Sequence, residues 1–154
     1  MNRRNTPRIS FIGFGEAGQA IASGLKETGV ERIAAWDILF PEQAGAPLKA
    51  AGETMGVRAA ASAADAVRET DIVISAVTAA SSVDAARSVA PHLNNNPYYL
   101  DINSVSPGRK LESADYAVPR PPGQTELPVC REGRTASRLC DEQGGLGQAT
   151  TQDR

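Results

Sequence analysis

A chain of 154 residues is long enough for one core-bearing domain of ordinary size and too short for a nucleotide domain followed by a full second domain. Its formal net charge of −2 provides no positive field for nucleic acid or an anionic membrane, so a small molecule is the expected partner. No apolar run approaches the roughly 18 residues of a membrane-spanning helix; the only two cysteines, Cys130 and Cys140, lack metal-ligand spacing and a neighbouring histidine, which fits a reducing, cytoplasmic setting without a metal site.

Arg3 and Arg4 read as a solvated tail ahead of the first strand rather than as an export signal. "RISFIG" is a buried strand, and residues 16–28 form a helix with Ala17, Ala20, Ile21, Gly24 and Leu25 at helical spacing. "VERIAAWD" is a second strand ending at Asp37; a helical stretch over residues 46–51 and a short strand in "GVRAAA" follow. Ser62 can cap a short helix in "SAADAVRET", and "DIVISAV" is a strong apolar strand. A helix over residues 79–90 is stopped near Pro91, "YYLDI" adds a strand, and the polar turn "DINSVSPG" leads to a helix starting near Ser106 and Pro107. This alternation predicts an α/β fold, a Rossmann-type doubly wound parallel sheet.

From Ala114 onward the chain has no Ile, Phe or Trp and no sustained period, with Pro119, Pro121, Pro122 and Pro128 in its first half and Gly144, Gly145 and Gly147 near its end. The expectation is a domain over residues 1–113 and an irregular tail over residues 114–154, disordered or loosely attached. So abrupt a change looks like translation of a GC-rich gene in a shifted frame, leaving the domain truncated.

The three glycines of "GFGEAG" sit between a strand and a helix. Gly13 permits the tight turn, Gly15 lets the backbone approach a pyrophosphate, and Gly18 allows close helix-on-strand packing, with the phosphates facing the helix N-terminus. Asp37 ends the second strand about twenty residues on, as the dinucleotide fingerprint requires. A carboxylate there accepts the ribose hydroxyls of NAD and repels the 2′-phosphate of NADP, which favours NAD; the alternative is that Asp37 caps the turn that follows it. Val77 and Thr78 follow the fourth strand, where they either cover the adenosine side of the cofactor or, for Thr78, cap the next helix. Asn103 and Ser104 follow the fifth, where nicotinamide and substrate would meet, unless they form only a polar turn. His92, the one histidine, reads as a surface residue at a helix end rather than a catalytic base.

"FIGFGEAGQAIASGL", "AAWDILF", "TDIVISAVTAASSVDAA" and "YYLDINSVSPGRK" together resemble the N-terminal cofactor domain of the β-hydroxyacid dehydrogenase superfamily, the group of 6-phosphogluconate and 3-hydroxyisobutyrate dehydrogenases. The resemblance covers residues 8–113. It implies a Rossmann domain that binds NAD or NADP, oxidation of a hydroxy acid by hydride transfer, an all-helical second domain, and homo-oligomers. Carried over by position, it implies cofactor contacts from Gly13, Phe14, Gly15, Glu16, Ala17, Gly18, Asp37, Val77, Thr78 and Asn103, and substrate contacts from Asn103 and Ser104. The family often has methionine or isoleucine where Glu16 and Ala17 stand, which leaves subgroup and substrate open. The general acid/base of the family is a lysine in the second domain; Gln152 and Asp153 occupy the region where it would be sought, and Lys110 lies within the cofactor domain, so no catalytic residue is assigned. Alternatives to a dehydrogenase are a non-catalytic dinucleotide-binding module and an interaction protein that keeps only the Rossmann core.

Overall fold

The sequence "ISFI" of β1 (Ile9–Ile12) is buried at all four positions, as in a strand covered on both faces. In the computed structural model, which describes residues 6–94 and 96–117, β1 is the centre of a five-stranded sheet in the order β3-β2-β1-β4-β5. The other strands are β2 (Ile33–Trp36), β3 (Arg58–Ala59), β4 (Ile72–Ser75) and β5 (Tyr98–Asp101), and every pairing is parallel. The helices are α1 (Glu16–Glu27), α2 (Ala46–Met55), α3 (Ala63–Val67), α4 (Ser82–Val89) and α5 (Pro107–Ala117). The expected Rossmann-type α/β fold is the observed one.

Alternation along β1 and β4 sorts the core into two clusters. Ile9 and Phe11 of β1, with Ile74 of β4, join Ala22 of α1, Phe14, Phe40 and Val57. Ile12 and Val73 join Ala66 and Val67 of α3, Ala85, Ala86 and Val89 of α4, and Ala117 of α5. Ser10, buried in the middle of β1, donates its hydroxyl to the Ala66 carbonyl and so is satisfied.

The departures from the expected elements have local causes. α2 runs on to Met55, where Gly56 takes a left-handed φ of 68° and returns its N–H to the Glu53 carbonyl, while Val57 N–H reaches Gly52. The helix expected over residues 79–90 is α4 with a 3-10 turn at each end, Ala79–Ser81 and Ala90–His92. Pro91 sits in the first turn of the latter, where its missing N–H costs nothing. Ser62 caps α3 as expected, accepting from the Asp65 N–H at 3.1 Å.

α5 crosses position 113, where the composition changes, and it buries both Ser113 and Ala117. The helix therefore includes four residues that the sequence assigned to the tail, Ala114 to Ala117. The rest of the expected tail, with Cys130, Cys140, Gln152 and Asp153, lies outside the described residues. Among the described residues no helix is long and apolar enough to cross a membrane.

Candidate functional site

Strand order reverses at β1, whose neighbours are β2 on one side and β4 on the other. Crossovers leave on opposite faces of the sheet there, and in open α/β sheets such a switch point marks the ligand crevice, outside the C-terminal strand ends. The loops after β1 and β4 line it. Gly13 N–H reaches the Trp36 carbonyl and Ala76 N–H the Ile12 carbonyl, each at 2.8 Å, carrying the sheet ladder into both loops.

The three glycines are glycine for different reasons. Gly13 has φ +90°, and a Cβ there would overlap the Ala76 carbonyl oxygen and lie 2.7 Å from Val77 Cγ1. At Gly18 a Cβ would come within 2.7 Å of the Gly13 carbonyl oxygen. Gly15 has an ordinary φ of −72° and nothing within 4 Å of a Cβ position. It is the N-cap of α1, and no side chain caps that helix. Its N-terminal N–H groups, at the positive end of the helix dipole, therefore have no side-chain acceptor at the cap, and among the described residues nothing stands where a Gly15 side chain would be.

Phe14 is locked from all sides. Its ring is fully buried and meets Phe11 and Phe40 edge-on, its N–H donates to Asp37 Oδ2 at 2.8 Å, and its carbonyl accepts from Gln19 Nε2 at 2.9 Å. Glu16 and Ala17 are exposed on the first turn of α1. Asp37 also accepts the Leu39 N–H at 3.0 Å on Oδ1. It thus caps the next turn and ties that turn to the glycine loop, with acceptor capacity remaining on both oxygens. Ile38, 81% exposed, follows it.

After β4, Val77 packs its side chain beside Gly13 and donates its N–H to Asn103 Oδ1 at 2.7 Å. The Thr78 hydroxyl pairs with the Ser81 hydroxyl at 3.1 Å, and its carbonyl, rather than its side chain, receives the Ser81 N–H. Asn103 is buried, and its Nδ2 donates to Asp101 Oδ1 at 2.8 Å and to Ser75 Oγ at 3.0 Å. Both ends of its side-chain amide are thus engaged within the protein, and of the Asn103–Ser104 pair only Ser104 is exposed. His92 is exposed in the turn leading to β5, at the opposite end of the strands.

Sequence reasoning missed the polar cluster beneath Asn103. Lys110 Nζ donates to both the Asp101 carbonyl and Asp101 Oδ1 at 2.8 Å, with side chains 19% and 7% exposed. Burial pushes the Tyr99 hydroxyl up to about 12, and the Asp101 carboxylate adds to that effect. A signal existed: Ser75 and Asp101, polar ends of two apolar strands, pair in register.

Residues 8–104 match the family described as NADP oxidoreductase, coenzyme F420-dependent. The chain belongs to this family. The matched region is its NAD(P)-binding Rossmann domain, running from β1 to Ser104. A conserved hypothetical protein from Sinorhizobium meliloti 1021 is 36% identical with a TM-score of 0.69, over 75% of this chain and 38% of that one. An uncharacterized 28.5 kDa protein from Methanothermus fervidus is 30% identical over 109 residues, 71% of this chain and 40% of that protein. A 3-hydroxyisobutyrate dehydrogenase from Mycobacterium tuberculosis, 23% identical with a TM-score of 0.63 over 73% of this chain and 37% of that one, shares the fold. The chain spans about two fifths of the length of these relatives.

Proposed function

We propose that this chain binds a nicotinamide dinucleotide, NAD in preference to NADP, across the C-terminal ends of β1, β2 and β4, as the cofactor domain of an oxidoreductase acting on a hydroxy acid. One observation carries the reading: Gly15 has no packing or backbone reason to be glycine, yet it stands at the uncapped start of α1 on the crevice. A diphosphate seated there accepts the first-turn N–H groups, and the missing side chain is what admits it.

The remaining residues take roles along an extended ligand. Gly13 and Gly18 shape the turn, Glu16 and Ala17 offer backbone N–H groups, and Phe14 contributes by holding the loop. Asp37 accepts the ribose hydroxyls, and no cation stands at the two positions after it, Ile38 and Leu39, to welcome a 2′-phosphate. Val77 and Thr78 wall the other side. Ser104 is the substrate-facing residue, and Asn103 supports it from below. When bound, the nicotinamide supplies hydride transfer. The hydroxy-acid substrate rests on the family resemblance, and no general acid/base is assigned among the described residues. Residues 1–113 are assigned to the cofactor domain, which α5 carries on to Ala117.

Calorimetric titration of the full chain with NADH and NADPH tests the reading. Saturable binding, tighter for NADH and lost in Gly15→Val, is expected. A folded chain that binds neither would overturn it.

A further inference from the structure

We infer that Lys110 is a positioning residue for the dinucleotide crevice: through Asp101 and Asn103 it holds the Val77 segment that walls the glycine turn. The inference rests on the dinucleotide reading for its functional meaning. Its physical content is a chain of contacts across four elements. Lys110 Nζ on α5 donates to Asp101 Oδ1 at the end of β5, and that one oxygen also receives Asn103 N–H at 2.9 Å and Asn103 Nδ2 at 2.8 Å. With Nδ2 turned to Asp101 and Ser75, the other end of the amide, Oδ1, faces and accepts the Val77 N–H. Val77 Cγ1 in turn lies against Gly13.

Charge makes the lysine matter. A carboxylate 93% buried needs a cation as well as amide donors, or the donors around it rearrange. An apolar pair would join α5 to β5 about as stably. What the ion pair adds is position: the carboxylate only accepts, so it fixes the Asn103 amide flip and turns Oδ1 to the Val77 N–H, and Lys110 holds that carboxylate in place. Remote from the glycine loop in sequence, Lys110 thus sets one wall of the crevice.

Amide hydrogen exchange on the ligand-free full chain reads this directly, with Val67→Ala as a control that weakens the core at the opposite end of β4. In Lys110→Met, Val77 N–H is expected to exchange at least tenfold faster relative to Phe11 N–H in β1, whereas Val67→Ala accelerates both together. Lys110→Arg restores Val77 to within about threefold of native. Should Lys110→Met fail to fold, the double variant Lys110→Met/Asp101→Asn removes both charges, and the same excess exchange at Val77 is expected. Val77 and Phe11 moving in step in these variants would overturn the inference. NADH titration of the same proteins separates the two readings. Binding at least tenfold weaker in Lys110→Met and unchanged in Val67→Ala supports both; native-like binding in Lys110→Met overturns the positioning role alone. No binding by the native chain overturns the dinucleotide reading, and the exchange ratio then decides whether Lys110 holds the turn.

Discussion

Alanine at Gly13 and alanine at Gly15 should have opposite consequences, although the two glycines are two residues apart. At Gly13 the backbone sits at φ +90°, a region that costs an L-residue about 1–2 kcal/mol. The new Cβ would also meet the Ala76 carbonyl and, at 2.7 Å, Val77 Cγ1, and overpacking of this kind costs about 1–3 kcal/mol. Together these put the loss at about 2–5 kcal/mol, or roughly 8–20 °C in Tm for a domain of this size. At Gly15 the Cβ meets nothing within 4 Å. Alanine is a poorer N-cap than glycine by about 0.5–1 kcal/mol, and the stiffer unfolded chain gives back about 0.4–1 kcal/mol, so Tm should stay within about 2 °C of native. On the proposed reading, Gly15→Ala should nevertheless obstruct the backbone approach of a diphosphate. Losing one hydrogen bond to a charged group, about 1.5–3 kcal/mol, weakens NADH at least about tenfold. Circular-dichroism melts with and without NADH, beside calorimetric titration, give both numbers. A Gly13→Ala chain as stable as native, or a Gly15→Ala chain that binds NADH like native, would refute the division of labour.

Charge at the crevice mouth gives a second expectation. Glu16→Gln removes an exposed carboxylate from the first turn of α1 and should tighten NADH by about two- to fivefold at low salt, shrinking as ionic strength rises. Asp37→Asn should weaken NADH about tenfold and NADPH less, narrowing the preference in competitive titrations. At acid pH, Asp65 is held below the usual carboxylate range chiefly by the Ala61 N–H and then by Arg58, and Asp71 by the Arg8 N–H and guanidinium. Both contribute stability that is present above pH 4 and lost as pH falls through their lowered values, so urea midpoints should drop in acid and drop less in Asp65→Asn/Asp71→Asn. Tyr99 acts at the other limb. Its hydroxyl is raised to about 12 in the folded chain, so its contribution is full below about pH 10 and is lost as pH rises towards 12; Tyr99→Phe should flatten the alkaline fall.

The sheet was legible because its central strands are apolar on both faces, as in "ISFI" and "IVIS", while the flanking helices repeat every three to four residues. α5 was harder to follow past Ser113 for a packing reason. Its buried residues are Ser113 and Ala117, facing a helix whose buried side chains include Ala85 and Ala86, so a close helix pair forms with almost no large apolar residue to announce it. β3 is two exposed residues at the sheet edge, Arg58 and Ala59, with no alternation to read. In the site, glycine spacing and the place of Asp37 were visible from the chain alone. The bond from Phe14 to Asp37 and the clamp from Lys110 to Asp101 were not, because each joins residues that share no helix or strand. Asn103 shows what a motif leaves unsaid. Its position after β5 suggests a ligand contact, and the structure adds that its amide braces the ends of β4 and β5.

The glycine fingerprint is often treated as a unit, but its residues answer to separate forces. Gly13 and Gly18 would be required of any chain that folds β1, the turn and α1 this closely, ligand or none, because a Cβ at either meets backbone. Among the described residues nothing meets a Cβ at Gly15, so on the proposed reading this glycine is kept for the ligand rather than for the fold. Asp37 extends the same logic across the crevice. By accepting the Phe14 N–H it holds the glycine loop in the shape that bares the α1 N-terminus, so a ligand that engages Asp37 and one that engages Gly15 feel the same loop geometry. A dinucleotide reaches both at once, which a lone phosphate or a lone nucleoside does not, and the two subsites should reinforce each other through the Phe14 backbone. Adenosine should then bind more tightly with saturating inorganic pyrophosphate than without it, because each finds the loop already held by the other, whereas equal affinity with and without pyrophosphate would refute the coupling.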